Sequence, residues 1–147
     1  METLADPLLQ RLAHLVMKDG VGLGGLSADD EGLALGVVWA SLPAGLCTAE
    51  PGINALVKAA LAGPAAWLDA DPLELRRRLV DAGWLWRDGF GREYRRVEVD
   101  ALAAAQRLVA GALTPLAVGA WVATRRDAHL AAREARRRSW FESRDQG

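Results

Sequence analysis

The stretch from Leu73 to Val97 constrains the fold more than any other part of the sequence. It first predicts a helix over residues 71–82, because apolar residues recur on one side and Asp71 and Pro72 suit the first turn of a helix. Gly83 marks the end of that helix, since glycine readily adopts the left-handed conformation in which many helices terminate. The helix is therefore expected to stop where an aromatic segment begins.

Two aromatic-rich runs follow the helix, and a short glycine-containing loop separates them. Residues 84–87 read Trp-Leu-Trp-Arg, and residues 92–97 read Arg-Glu-Tyr-Arg-Arg-Val. Such runs around a loop of the type Asp-Gly-Phe-Gly predict a β-hairpin. Two strands alone are marginally stable in water, so we expect the hairpin to pack against the helices.

Similar signals predict helices on both sides of this unit. Ser27 and Thr48 are expected to cap the two helices that precede it, and Asp100 is expected to cap the first helix that follows it. Thr114-Pro115 marks the start of a long final helix, because proline is favoured in the first turn.

The order of three helices and a hairpin over residues 29–97 is that of a winged helix, in which a β-hairpin wing follows a helix-turn-helix. A helix beginning at Asp6-Pro7 and a flexible linker with four glycines precede this unit. The predicted fold class is therefore mainly α. We expect an N-terminal helix and glycine-rich linker at 1–28, a winged-helix domain at 29–98 and a C-terminal helical arm at 99–147.

Charge is distributed unevenly along the chain, although the net charge is only −1. Residues 1–70 carry three basic residues against eight acidic ones, whereas residues 121–147 carry seven arginines against four acids. Because the total is close to neutral, no global basic field indicates a nucleic-acid partner. Any such partner would have to bind the arginine-rich part of the chain.

Several residues of this unit resemble the motifs of a bacterial family, the domain of unknown function 2087 (DUF2087). The matching residues are Thr48, Glu50, Ile53 and Asn54, the run Leu-Arg-Arg-Arg-Leu-Val-Asp-Ala-Gly at 75–83, Arg87, and Gly-Arg-Glu-Tyr at 91–94. The similarity covers about residues 33–97. Members of that family look like transcription-regulator modules, so the resemblance implies a winged-helix-like fold and a role in transcription.

Arginines on the helix and on the hairpin are the candidate functional residues. In a helix-turn-helix the second helix lies in the major groove, where arginines can contact guanine edges or phosphates. The sequence therefore predicts a small regulator that binds double-stranded DNA with helix 71–82 and the wing at 84–97. The expected contacts are Arg76, at the edge of the core, with Arg77, Arg78, Arg92, Arg95 and Arg96.

A second basic patch and a structural interpretation of the arginines lead to an alternative function. The patch consists of Arg133, Arg136, Arg137 and Arg138. These arginines could bind phosphates, an acidic partner or the acidic segment at residues 1–70 of the protein itself. On the helix, Glu74 with Arg78 and Arg77 with Asp81 are spaced for ion pairs within one solvated helix. The alternative is therefore a winged helix that binds protein through the aromatic hairpin or the arginine-rich C-terminal helix.

Motifs for catalysis and metal binding are missing from the sequence. His14 and His129 are isolated, and no zinc, Walker or nucleophile-elbow motif occurs, so we expect neither an enzyme nor a bound metal or cofactor. The lone Cys47 excludes an internal disulfide and fits a reducing cytoplasm. The uncharged run at residues 108–123 is too short for a membrane span, which favours a buried helix or a homodimer formed through the C-terminal helices.

Overall fold

The structure, a computed structural model, describes residues 5–145 and is mainly helical, as expected. The helices are α1 (Ala5–Leu15), α2 (Ala28–Ser41), α3 (Glu50–Leu61), α4 (Pro72–Asp81), α5 (Ala104–Leu113) and α6 (Val118–Asp145). The strands are β1 (Cys47–Thr48), β2 (Leu85–Arg87) and β3 (Tyr94–Arg96). Short 3-10 turns lie at Leu23–Gly25 and Val99–Ala101.

Two of the predicted helix caps are confirmed. The Ser27 hydroxyl accepts a hydrogen bond from the backbone N–H of Asp30 at 3.2 Å and caps α2. The Asp71 carboxylate accepts one from the N–H of Leu73 at 2.7 Å and caps α4. Gly83 follows α4 with a φ of +87°, the conformation that its position predicts.

The other two predicted caps are wrong. Thr48 lies in β1, where it pairs with Tyr94, and α3 begins after Ala49 without a side-chain cap. Asp100 lies in the second 3-10 turn, and the side chain of Gln106 instead accepts a hydrogen bond from the N–H of Ala103, at 3.0 Å, at the start of α5.

The hairpin is part of a three-stranded antiparallel sheet with the order β1-β3-β2. In β3, Arg95 pairs with Trp86 of β2 on one side and with Cys47 of β1 on the other. The sequence predicted β2 and β3 but not β1. The central position of β3 fixes both the hairpin and the segment before α3 in one sheet.

One hydrophobic core extends from α1 to the beginning of α6. Its largest fully buried side chains are Trp39, Trp67, Trp84 and Tyr94, contributed by α2, the segment before α4 and the hairpin. The core is continuous across the expected boundaries at residues 28 and 98, because leucines of α1 and α5 belong to it. Those boundaries remain a prediction.

The glycine-rich segment after α1 is attached to this core. Val21 forms a parallel bridge with Leu68, in which its N–H donates to the carbonyl of Trp67 at 3.1 Å and its carbonyl accepts from the N–H of Asp69 at 2.8 Å. Leu23 is fully buried. The segment expected to be a flexible linker therefore contacts the connection that leads into α4.

The uncharged run at residues 108–123 is divided between α5 and α6, which meet at an angle of 73°. Within the described residues, no single helix is long and apolar enough to cross a membrane; the two helices together have the length and composition of a span but are bent. Val109, Leu113, Val118 and Val122 of this run are buried in the protein core.

Helix α6 leaves the core after its first two turns. Arg126 ends the packed part, because its guanidinium donates to the carbonyl oxygens of Val16 at 2.7 Å and Lys18 at 3.0 Å and pairs with Asp19 at 2.6 Å. This ion pair lowers the pKa of Asp19. From residue 131 to residue 145 every side chain is exposed.

Candidate nucleic-acid interface

Arg76 of α4 is held inside the fold, only 9% exposed. Its guanidinium donates to the Asn54 side chain at 2.6 Å and to the Glu50 carboxylate at 3.3 Å, both on α3. It also lies 5.3 Å from the centre of the Tyr94 ring. The sequence predicts Arg76 as a DNA contact at the edge of the core; in the structure its guanidinium is buried and its contacts join α3, α4 and β3.

Arg96 of β3 is equally enclosed, with a side chain that is 10% exposed. Its guanidinium lies 3.8 Å from the centre of the Trp39 ring and donates to the carbonyl of Leu42 at 2.6 Å. It also pairs with Glu98 at 3.4 Å. Burial lowers the pKa of Arg96, although Glu98 opposes the shift. These contacts attach the hairpin to α2.

Arg78 and Arg95 are paired with carboxylates at the surface. Arg78 contacts Glu31 of α2 at 3.0 Å, and Arg95 contacts Glu93 at 2.8 Å. The predicted pairs Glu74–Arg78 and Arg77–Asp81 do not occur among the described residues. Arg78 turns towards α2 and pairs with Glu31 in place of Glu74.

Arg77, Arg87 and Arg92 remain exposed, and none is within 4 Å of a carboxylate in the part of the chain that the structure describes. Arg77 and Arg87 line a groove of about 260 Å³ between α4 and the hairpin. The other lining residues are Arg76, Val80, Asp81 and Tyr94. The groove is thus lined by two exposed arginines and one aspartate, while the guanidinium of the third arginine, Arg76, is held by α3.

The loop of the hairpin is held by Asp88. Burial opposes ionisation of its carboxylate, but hydrogen bonds from backbone N–H groups outweigh that effect and lower the pKa of Asp88. The N–H groups of Arg92 and Glu93 donate to it at 2.7 and 3.3 Å. Gly91, with a φ of +67°, allows the chain to reverse here. The loop thereby fixes the backbone on both sides of Phe90, which is 84% exposed at the tip.

The exposed side of α4 also carries negative charge. Asp71, Glu74 and Asp81 line its surface together with Arg77 and Arg78. Since Arg78 is already paired with Glu31, the exposed charge of α4 itself is not basic. The cationic character of the region therefore comes from the groove and the hairpin and not from the helix alone.

The second basic patch lies on the exposed part of α6. Arg133, Arg136 and Arg137 surround a shallow surface depression with Leu130 and Glu134. Within the described residues, none of the four arginines of this patch pairs with a carboxylate of the acidic N-terminal half of the chain. The α6 arginine that does so there is Arg126, which pairs with Asp19. That these arginines bind phosphates or an acidic partner remains a prediction.

The cysteine has a defined environment that sequence reasoning missed. The Cys47 thiol donates to the Glu93 carboxylate at 2.8 Å, and this hydrogen bond raises the pKa of Cys47. Glu93 is in turn ionised more readily than usual, because its pKa is lowered by the same thiol and by Arg95. No group of three or more histidine, cysteine or carboxylate side chains suited to a metal ion occurs in residues 5–145.

The protein is thus a mainly helical domain with a small antiparallel sheet and an arginine-lined groove between α4 and the hairpin. Residues 27–96 match the model of an uncharacterised protein family conserved in bacteria, DUF2087. The resemblance identified from the sequence is confirmed, and it extends from the cap of α2 to the end of β3. Neither a curated protein nor a solved structure shows significant similarity to the chain.

Proposed function

We propose that the chain is a winged helix that binds double-stranded DNA, as a small cytoplasmic regulator without enzymatic activity. The element order α2, β1, α3, α4, β2, β3 supports this proposal, with α3 and α4 as the helix-turn-helix and the hairpin as the wing. In such a unit the second helix, α4, approaches the major groove and the wing contacts the adjacent backbone.

The observation that carries the proposal is the groove between α4 and the hairpin. A phosphodiester is an acceptor for guanidinium groups, which bind it with two parallel N–H donors. Arg77 and Arg87 line the groove from opposite elements, and Arg92 is exposed at the hairpin loop. These three side chains can therefore contact phosphates without breaking an ion pair of the described chain.

The charges of α4 determine what kind of contact is proposed. Glu74 and Asp81 would repel phosphates and oppose deep insertion of the helix. The proposed interface is therefore dominated by backbone contacts, which position a protein on DNA but carry little sequence information. Arg76 and Arg96 have no part in it, because their guanidinium groups hold the fold together.

The test is binding to a labelled duplex of mixed sequence at about 50 mM salt, measured by fluorescence anisotropy. Arg77→Ala and Arg87→Ala are each expected to weaken binding about tenfold, since each removes one phosphate contact. Arg107→Ala is the matched control, because Arg107 is an exposed arginine of α5 outside the groove. No binding by the unmodified protein, or equal losses for all three variants, would refute the proposal.

A protein partner is the second candidate function, and the aromatic side chains of the hairpin favour it. Trp86 and Phe90 are exposed, and the guanidinium groups of Arg95 and Arg92 lie 5.1 and 5.6 Å from the centres of their rings. Exposed aromatic side chains next to arginines are typical of protein interfaces. DNA binding that is lost in Arg77→Ala but retained in Phe90→Ala would favour the first function over this one.

A further inference from the structure

An open apolar groove lies between α1, α2 and α5, with a volume of about 300 Å³. Its lining is mostly hydrophobic and includes Leu8, Leu33, Trp84, Leu108 and Val109. Leu108 is 50% exposed there, whereas Trp84 beneath it is buried. Large apolar side chains that line a concave surface are typical of a site that receives a partner side chain.

The exposed end of α6 carries two aromatic side chains of the kind that an apolar groove accepts. Trp140 and Phe141 pack edge to face with ring centres 5.0 Å apart, yet each remains about half exposed. Arg144 lies 5.0 Å from the centre of the Trp140 ring, and Arg137 lies 5.8 Å from that of Phe141. Aromatic residues and arginines of this kind are the usual anchors of protein–protein interfaces.

The aromatic end of α6 cannot occupy the groove of its own chain. Helix α6 is continuous from Val118 to Asp145, and Arg126 fixes its direction where it leaves the core. At 1.5 Å per residue, Trp140 lies about 21 Å further along the helix axis than Arg126. A second molecule is therefore needed to cover the end of α6.

We infer that the Trp140–Phe141 end of α6 docks into the α1–α2–α5 groove of a second copy of this chain, and that the exchange is reciprocal. Charge complementarity identifies the second copy as the partner. Arg11 and Asp29 are the two charged residues that line the groove, and Arg11 pairs more closely with Asp30 than with Asp29. The Asp29 side chain is therefore left 85% exposed, with its carboxylate 3.8 Å from Arg11. Arg137 and Arg144 on the docking helix supply the opposite charge beside the aromatic rings.

A reciprocal arrangement also doubles the aromatic area that the contact buries. About half of the roughly 150–250 Å² carried by each large aromatic side chain is still exposed on α6. Two rings from each of two copies contribute roughly 300–500 Å², and the groove surfaces that they cover add to this area, towards the roughly 1,200 Å² of a small stable interface. This inference is independent of DNA binding, because it uses neither α4 nor the exposed face of the hairpin.

The experiment compares the molar mass of the full chain and of paired variants by light scattering and sedimentation. Gly32→Leu fills the groove, since Gly32 lines it in α2 and an added β-carbon meets no atom within 4 Å. Gly111→Leu is its control, because Gly111 has equal space in α5 but does not line the groove. Trp140→Ala removes the docking side chain, and Leu130→Ala removes an equally exposed one from the same helix.

The unmodified chain and both controls are expected to be dimers at micromolar concentration, with a dimer dissociation constant at least tenfold higher for Gly32→Leu and for Trp140→Ala. A mixture of these two variants should associate more strongly than either alone, because one intact end of α6 then meets one intact groove. Circular dichroism verifies that each variant is folded. A monomeric unmodified chain up to about 100 µM, unchanged dimerisation of Gly32→Leu, or no recovery in the mixture would overturn the inference.

Discussion

The salt dependence of DNA binding provides the sharpest test of the arginine-lined groove. Each phosphate that a protein neutralises releases condensed counterions, so the logarithm of the affinity falls with the logarithm of the salt concentration by about 0.9 per contact. Arg77, Arg87 and Arg92 are the three exposed guanidinium groups without a carboxylate partner in this region of the described chain. They predict a slope of about −2.7 for each protomer.

Replacing Arg77 with alanine should reduce that slope to about −1.8. For each protomer in contact with the duplex, between about 50 and 200 mM salt, the affinity of the unmodified protein should fall about 40-fold, whereas that of Arg77→Ala should fall about 12-fold. The assay is anisotropy of a labelled duplex measured across this range. Because Arg77 is exposed and unpaired within the described residues, the substitution should leave the melting temperature unchanged.

Two further variants separate the groove from a general effect of charge. Arg107→Ala removes the same charge from α5 and should leave the slope unaltered. Glu74→Gln removes an exposed carboxylate of α4 and should tighten binding. An Arg77→Ala slope equal to that of the unmodified protein would refute the reasoning, and so would an Arg107→Ala slope reduced by the same amount.

Three other predictions concern the scaffold of the site. Arg96→Ala should lower the free energy of unfolding by about 3 kcal/mol, because it removes a buried hydrogen bond and ring contact, whereas Arg95→Ala should change it by less than about 1 kcal/mol in the same denaturation experiment. Gly36→Ala should cost about 1–3 kcal/mol despite the higher helix propensity of alanine, since the new β-carbon would lie 2.5 Å from a side chain of α5. The raised pKa of Cys47 should slow its alkylation by iodoacetamide at about pH 8, and Glu93→Gln should accelerate that reaction severalfold, with the two rates converging at higher pH.

Local signals in the sequence were sufficient to locate most helices. Ser27 and Asp71 can each cap a helix through contacts two or three residues away, and Gly83 is required by the backbone conformation at its own position. Strand β1 could not be predicted in this way. Cys47 and Thr48 are too few to show a periodicity, and they become a strand only through pairing with β3, far along the chain.

The environments of the arginines were harder to predict, because they depend on which elements meet in three dimensions. Arg78 pairs with Glu31, 47 residues earlier, and not with Glu74 one turn away. Arg95 and Arg96 are neighbours on one strand, so their side chains must point to opposite faces of the sheet. The position of α2 against that sheet decides that Arg96 is the buried one.

The short anchorage of α6 has a mechanical consequence. Val118, Val122 and Arg126 set the direction of the helix, and the 19 residues that follow extend it by about 28 Å. A rotation of about 10° at this anchor would displace the far end by about 5 Å, close to one helical turn. Small rearrangements where Arg126 meets the end of α1 would thus be amplified at the C-terminal tip, as in a lever.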